Sequence, residues 1–292
     1  MIPKDVLKKI RRIQITTSRM VSDVFAGQYQ STFKGKGMEF DEVRQYQPGD
    51  EIRSIDWNVT ARMNHPYIKK FVEERELTVM ILLDMSASCF FGTVKQLKVQ
   101  LAAEICSLLA LSATRNNDKV GFIAFTDKVE KFIPPRKGPR HVLRVVREAL
   151  YFNPGGTGTD INAALEFLNR VTARKTVAFI ISDFYSQEYK RMLAVTNKRH
   201  DCIAVTITDP REIELPAVGL ITLEDPESKK SFFVDSSDIS VRRDYADAAQ
   251  KRLRQRLMLF RSVNVDSIDI RTDIPYGMSL YKFFRARERR MR

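Results

Sequence analysis

The sequence predicts a doubly wound α/β fold, with a mostly parallel sheet and a small N-terminal β-rich appendage. Three observations lead there. Apolar runs of strand length, such as Leu77-Thr78-Val79-Met80-Ile81-Leu82-Leu83 and Thr176-Val177-Ala178-Phe179-Ile180-Ile181, are nearly continuous, as in strands buried on both faces. Between such runs lie longer stretches whose apolar residues recur at helical spacing. The two kinds alternate along most of the chain, which is the pattern of parallel strands joined by crossover helices.

Taken in order, the Leu77 run is followed by an expected helix over Val94 to Thr114, with Leu97, Leu101, Ile105, Leu108 and Leu109 on one face. Val120 to Phe125 and Val129 to Ile133 read as strands around a turn at Thr126-Asp127-Lys128. Arg140 to Leu150 reads as helix, then a Gly-rich loop leads into a helix over Ile161 to Val171. The Thr176 strand ends at Ser182-Asp183. A polar helix over Gln187 to Lys198 and a strand over Cys202 to Thr208 follow. Val218 to Val234 has the look of irregular or hairpin structure, Val241 to Arg261 of a long basic helix, and Val265 to Ile270 of a last strand.

The first 75 residues behave differently. Leu7 to Val24 is expected to be helical, but Gly27 to Phe71 is rich in glycine, turn residues and charges, including Gly35-Lys36-Gly37 and Gln47-Pro48-Gly49-Asp50. The chain therefore divides into residues 1–75, a helix with the β-rich appendage; 76–275, the α/β domain; and 276–292, a basic tail. Within the appendage, a turn at Pro48-Gly49, an Arg53 pair with Asp50 or Asp56, and Trp57 packed on the main domain are the structural expectations, with direct contact to a partner as the alternative.

Composition narrows the chemistry. The 292 residues are 43% hydrophobic and 29% charged, as in globular proteins. The N-terminus lacks the basic-then-apolar layout of a signal peptide, and no apolar run approaches the roughly 20 residues that span a bilayer, so a cytoplasmic protein is expected. Cys89, Cys106 and Cys202 form no CxxC pair, and His65, His141 and His200 form no cluster, which disfavours zinc and disulfide frameworks. A net charge of +13 is concentrated in Arg242 to Arg261 and in the tail from Lys282 to Arg292. Such a tail can attract nucleic acid, an anionic membrane or an acidic protein, or be a solvated helix face.

Three oxygen-bearing loops stand at expected strand ends or helix starts: Asp84-Met85-Ser86-Ala87-Ser88, Gly155-Gly156-Thr157-Gly158-Thr159-Asp160, and Ser182-Asp183. In open α/β sheets ligands bind beyond the carboxyl ends of the strands. Carboxylates and hydroxyls without imidazole or thiolate suit Mg²⁺, with Mn²⁺ or Ca²⁺ as alternatives. Asp84, Ser86 and Ser88 stand two residues apart, so one turn can aim all three side chains at a point. Asp160 also has the position of a helix cap. Cys89, beside the site, reads as a small buried hydrophobe.

The order DxSxS, then a threonine in a Gly-rich loop, then Asp after a hydrophobic strand resembles the metal-ion-dependent adhesion site of von Willebrand factor A domains. That resemblance implies a von Willebrand A / Rossmann-like fold and a Mg²⁺ site of Asp84, Ser86, Ser88, Thr159 and Asp183, often completed by a partner's acidic residue. Thr157 is the alternative to Thr159, which stands at the family's usual distance before Ala163-Ala164-Leu165. A second segment, Arg44 to Trp57 followed by Ala61-Arg62, is similar to the hallmark of the bacterial domain of unknown function 58 family. Members of that family are associated with MoxR-type AAA+ ATPases, which implies a chaperone-like setting.

The expected function is thus a non-enzymatic, Mg²⁺-dependent protein–protein interaction module, a partner or adaptor of a MoxR-type AAA+ ATPase. Two alternatives stand beside it: a basic surface and tail that bind nucleic acid or anionic membrane, and a Mg²⁺-dependent phosphohydrolase using Asp84. The latter pattern wants a second Asp at position 86, where this chain has serine. The sequence assigns no oligomeric state.

Overall fold

The computed structural model describes residues 39–72, 77–186 and 188–291. The helix expected over Leu7 to Val24 lies outside them, as do Gly35-Lys36-Gly37.

The appendage is a two-stranded antiparallel sheet. β1 (Glu39–Gln45) pairs with β2 (Tyr67–Val72) in the register Val43↔Lys69 and Gln45↔Tyr67. Between them the chain turns at Pro48-Gly49, where Gly49 takes a φ of 109° that favours glycine. A short helix α1 (Trp57–Met63) follows. Arg44, not Arg53, pairs with Asp50, donating to both carboxylate oxygens at 2.7 and 2.9 Å. Asp56 caps α1 through the amides of Asn58 and Val59. The expected packing of Trp57 is also corrected, because its side chain is 67% exposed. It stands at the start of α1, on a helix with no buried residue.

The main sheet has six strands in the order β10-β7-β6-β3-β4-β5. These are β3 (Thr78–Asp84), β4 (Lys119–Phe125), β5 (Val129–Arg136), β6 (Val177–Ser182), β7 (Asp201–Thr208) and β10 (Asp266–Arg271). All neighbours run parallel except β5, which is antiparallel to β4. Pro134 and Pro135 fall in β5, where an edge position makes the missing amide donors tolerable.

Strand periodicity sorts the core into two layers. Val79, Ile81 and Leu83 point to one face, against α2 (Lys98–Arg115), α3 (Pro139–Tyr151) and α7 (Tyr276–Met291). Met80 and Leu82 point to the other, against α4 (Ile161–Val171), α5 (Lys190–Arg199) and α6 (Ile239–Ser262). All five are fully buried, each contributing about 1.5–3 kcal/mol of hydrophobic stabilisation. This explains why the run is continuous: both faces of β3 are covered. A small hairpin of β8 (Leu220–Glu224) and β9 (Ser231–Asp235) stands apart from the main sheet.

Two segments differ from expectation. The polar helix α5 begins at Lys190 rather than near Gln187, because Phe184 and Glu188 adopt left-handed φ values of 58° and 49°. The expected basic tail is helix α7. Its Leu280 and Phe284, four residues apart, are fully buried in the core. Arg287 pairs with Asp201 and, at 3.0 Å, with Asp266, while Arg290 reaches Asp266 at 2.9 Å. Part of the basic charge is thus spent holding this helix to the ends of β7 and β10.

Candidate metal and partner-binding site

From β3 the chain crosses through α2 to β4 on one side, and returns through α3 and α4 to β6 on the other. The carboxyl ends of β3 and β6 therefore flank the point where the connection changes direction, the place where open α/β sheets form a crevice. Leu83 pairs with Ile181 there, so the residues that follow, Asp84 and Ser182-Asp183, are brought side by side.

Asp84 is fully buried and Asp183 is 1% exposed. Oxygens of the two carboxylates and the Cys89 sulfur lie within 4.8 Å of one another. Asp84 Oδ1 accepts the Ser86 amide at 2.9 Å, which folds the chain back into the turn Ala87–Phe90. Its Oδ2 accepts the Ser182 hydroxyl at 2.5 Å. The Ser86 and Ser88 hydroxyl oxygens are 3.1 Å apart. Asp183 Oδ1 accepts the Tyr185 amide at 3.1 Å, and its backbone carbonyl accepts Arg256 Nη1 at 2.7 Å.

A residue absent from the sequence reading completes the group. Lys98, the first residue of α2, is 1% exposed, and its Nζ lies 2.7 Å from Asp183 Oδ2 and 2.5 Å from Glu212 Oε1. The rings of Tyr185 and Phe91 flank the ammonium at 5.7 and 6.0 Å. A signal for it exists in the sequence: Lys98 is in phase with Leu101, Ala102 and Ile105, so its charge sits on the buried stripe of an apolar helix. Ser182, which donates to Asp84, was legible as part of its loop but not as a site residue.

The electrostatics follow from burial. Desolvation, then the charge of Asp183, pushes the Asp84 carboxyl up to about 7. Burial by itself would push the Lys98 ammonium down, but Asp183 and Glu212 outweigh it and hold it above its ordinary range. Burial, and then the charges of Asp84 and Asp183, drive the Cys89 thiol well up, so it is a neutral SH. This agrees with its reading as a small buried hydrophobe.

The threonines are placed differently. Thr159 donates its hydroxyl to Glu227 Oε1 at 2.7 Å, in the turn of the β8–β9 hairpin, and its carbonyl accepts the Ser186 hydroxyl at 3.2 Å. Thr157 is exposed, and its carbonyl accepts the Ala87 amide at 2.8 Å, tying the Gly-rich loop to the serine turn. Glu130 Oε1 accepts the amides of Gly155 and Gly156 at 3.2 and 2.7 Å. Asp160 caps α4 through the amides of Asn162 and Ala163. The structure thus gathers Asp84, Ser86, Ser88 and Asp183, and leaves the Thr159 side chain turned to the hairpin.

Two carboxylates and two hydroxyls at one strand-end crevice are donors suited to a hard divalent cation. Beside these residues runs a groove lined by Ser88, Phe91, Tyr185, Leu215, Leu223 and Phe232.

Comparison with known proteins places the chain in a family. The chain is 30% identical over 285 residues to "Uncharacterized protein Mb1516" of Mycobacterium bovis, covering 96% of this chain and 89% of that one. It is 22% identical over 182 residues to "Uncharacterized protein YeaD" of Bacillus subtilis, covering 62% of this chain and 43% of that protein. Among solved structures, an aerotolerance-related membrane protein from Bacteroides fragilis NCTC 9343 is similar in fold, with a TM-score of 0.50, 15% identity, and coverage of 72% of this chain and 99% of that one. No helix among the described residues is long and apolar enough to cross a membrane. Residues 42–255 match the family described as "Protein of unknown function DUF58", and the chain belongs to that family.

Proposed function

We propose that this protein is a non-enzymatic, divalent-cation-dependent module that grips another protein at the β3–β6 crevice. The observation that carries the reading is the meeting of Asp84 and Asp183 on adjacent strand ends, with the Ser86 and Ser88 hydroxyls beside them. In this reading Asp84, Ser86, Ser88, Asp183 and, after turning from Glu227, Thr159 hold Mg²⁺, with Mn²⁺ or Ca²⁺ as substitutes. Hydroxyl ligands add no charge, so the ion retains attraction for a carboxylate offered by the partner. The neighbouring groove supplies apolar surface for residues flanking that carboxylate.

Catalysis through Asp84 fits less well. The phosphohydrolase pattern wants a second Asp at position 86, where this chain has serine. The basic C-terminal segment is a weaker candidate for the principal partner site, because its buried face and Arg287 are engaged in the fold. The resemblance noted at Arg44 to Arg62 makes a MoxR-type AAA+ ATPase the first partner to try, and the cytoplasm is the proposed setting. Three buried free thiols support a reducing compartment.

The test is affinity capture with wild type and Asp84→Ala, each with Mg²⁺ and with EDTA, and with a MoxR-type ATPase as the first prey. Capture by wild type in Mg²⁺ alone is expected. Equal capture in EDTA, or by a folded Asp84→Ala protein, overturns the reading.

A further inference from the structure

The site contains a cation of its own. Lys98 Nζ sits between Asp183 and Glu212, fully enclosed, at the start of a helix that is otherwise apolar on that face. Two acidic groups, Asp183 and Glu212, meet this one ammonium in a desolvated pocket, and Asp84 stands beside Asp183. Burying a carboxylate without a counter-charge is costly, so an arrangement lacking both Lys98 and a divalent ion would strain to stay folded. With Lys98 present, Asp183 and Glu212 have a counter-charge even when no ion is bound.

We propose that Lys98 is the site's tethered counter-cation: it competes with a divalent ion for Asp183, stabilises the ion-free state, and so keeps metal binding weak and reversible. The inference rests on the reading that the crevice takes a divalent cation. When an ion draws on Asp183, Glu212 remains as the second anchor for the ammonium, so the lysine need not leave the pocket. Glu212 lies in the turn Pro210–Glu212, whose Arg211 carbonyl accepts the Tyr245 hydroxyl at 2.9 Å. Glu212 and Tyr185 also line the neighbouring groove. Exchange of partners by Lys98 is therefore felt at the surface where the partner protein is proposed to sit.

The test uses the full chain as wild type, Lys98→Met, and the double variant Lys98→Met/Glu212→Gln, which removes the buried pair without leaving Glu212 unneutralised. Mn²⁺ affinity is measured by calorimetry, and thermal melting is followed in EDTA and in excess Mn²⁺. Lys98→Met is expected to bind Mn²⁺ at least about tenfold more tightly than wild type, because a like charge beside the ion is gone. It should melt lower than wild type in EDTA and recover more of its stability when Mn²⁺ is added. If Lys98→Met does not fold in EDTA, the double variant carries the affinity comparison, with tighter binding again expected. Affinity equal to or weaker than that of a Mn²⁺-binding wild type overturns the counter-cation role and leaves the metal reading standing. No Mn²⁺ binding by any of the three overturns both.

Discussion

Phe284→Ala tests whether the C-terminal helix belongs to the fold or is a free basic arm. Phe284 is fully buried, packs edge-to-face on Phe283 with ring centroids 5.2 Å apart, and lies in the same core layer as Val79, Ile81 and Leu83. Truncating such a ring removes its transfer free energy and leaves a cavity, a cost of about 3–5 kcal/mol. In a chain of this size each kcal/mol shifts melting by about 2–4 °C, so a drop of at least about 6 °C is expected. Urea and thermal denaturation followed by circular dichroism measure it. The control is Lys282→Gln/Arg285→Gln/Arg289→Gln on the exposed face, where each change should stay within about 0.5 kcal/mol. A Phe284→Ala protein that melts within about 2 °C of wild type would refute the packing argument. The result also governs how binding experiments are read. Deleting Lys282 to Arg292 removes Phe284 and the Arg287 pairs along with the charge, so any lost affinity would confound unfolding with electrostatics. The exposed-face triple variant isolates the charge.

Other perturbations have equally definite outcomes. The His200 imidazole is held below its usual 6.5 by burial and then by Arg199, so the unfolded chain binds a proton more readily than the folded one. Its contribution to stability is full above about 6.5 and is lost as pH falls toward the folded value; the urea midpoint should decline over that range in wild type and less in His200→Gln, and parallel curves would contradict this. In Gly92→Ala the added Cβ would stand 2.7 Å from the Gln96 carbonyl oxygen and 2.8 Å from the Leu97 Cα, so the backbone leading to Lys98 must shift. A loss of about 1–3 kcal/mol by denaturant titration is expected, and an unchanged midpoint would show that the loop adapts freely. If Thr159 turns from Glu227 to the ion, Thr159→Val should weaken Mn²⁺ binding about tenfold while Thr157→Val leaves it unchanged, and the reverse pattern would assign the role to Thr157.

Much of the fold was legible in sequence because buried strands and amphipathic helices write their periods directly into the chain. The strand from Thr78 to Asp84 and the helix from Ile161 to Val171 appear where the apolar pattern places them. Boundaries shifted where single residues adopt special backbone angles, as at Glu188 before α5. The tail reading allowed a solvated helix face but missed its burial, because Leu280 and Phe284 make only a short apolar stripe among many charges. What makes that stripe a core element is the surface of β10 against which it lands. Arg44 replaced Arg53 as the partner of Asp50 for a similar reason: the pairing depends on where β1 aims its side chains across the turn, not on nearness in sequence.

The sequence by itself determined that Asp84 and Asp183 end buried strands, since a continuous apolar run followed by a polar residue marks the rim of a covered sheet. That β3 and β6 are neighbours was decided by the strand order, and only this adjacency allows the Ser182 hydroxyl to reach Asp84. The tertiary structure alone joined Lys98 to Asp183, 85 residues away, and to Glu212, 114 residues away. It also turned the Thr159 hydroxyl to Glu227 on the hairpin. Periodicity reports which side of an element is covered. Which charge meets which across that cover depends on the order in which distant segments pack, and that is settled only when the chain is folded.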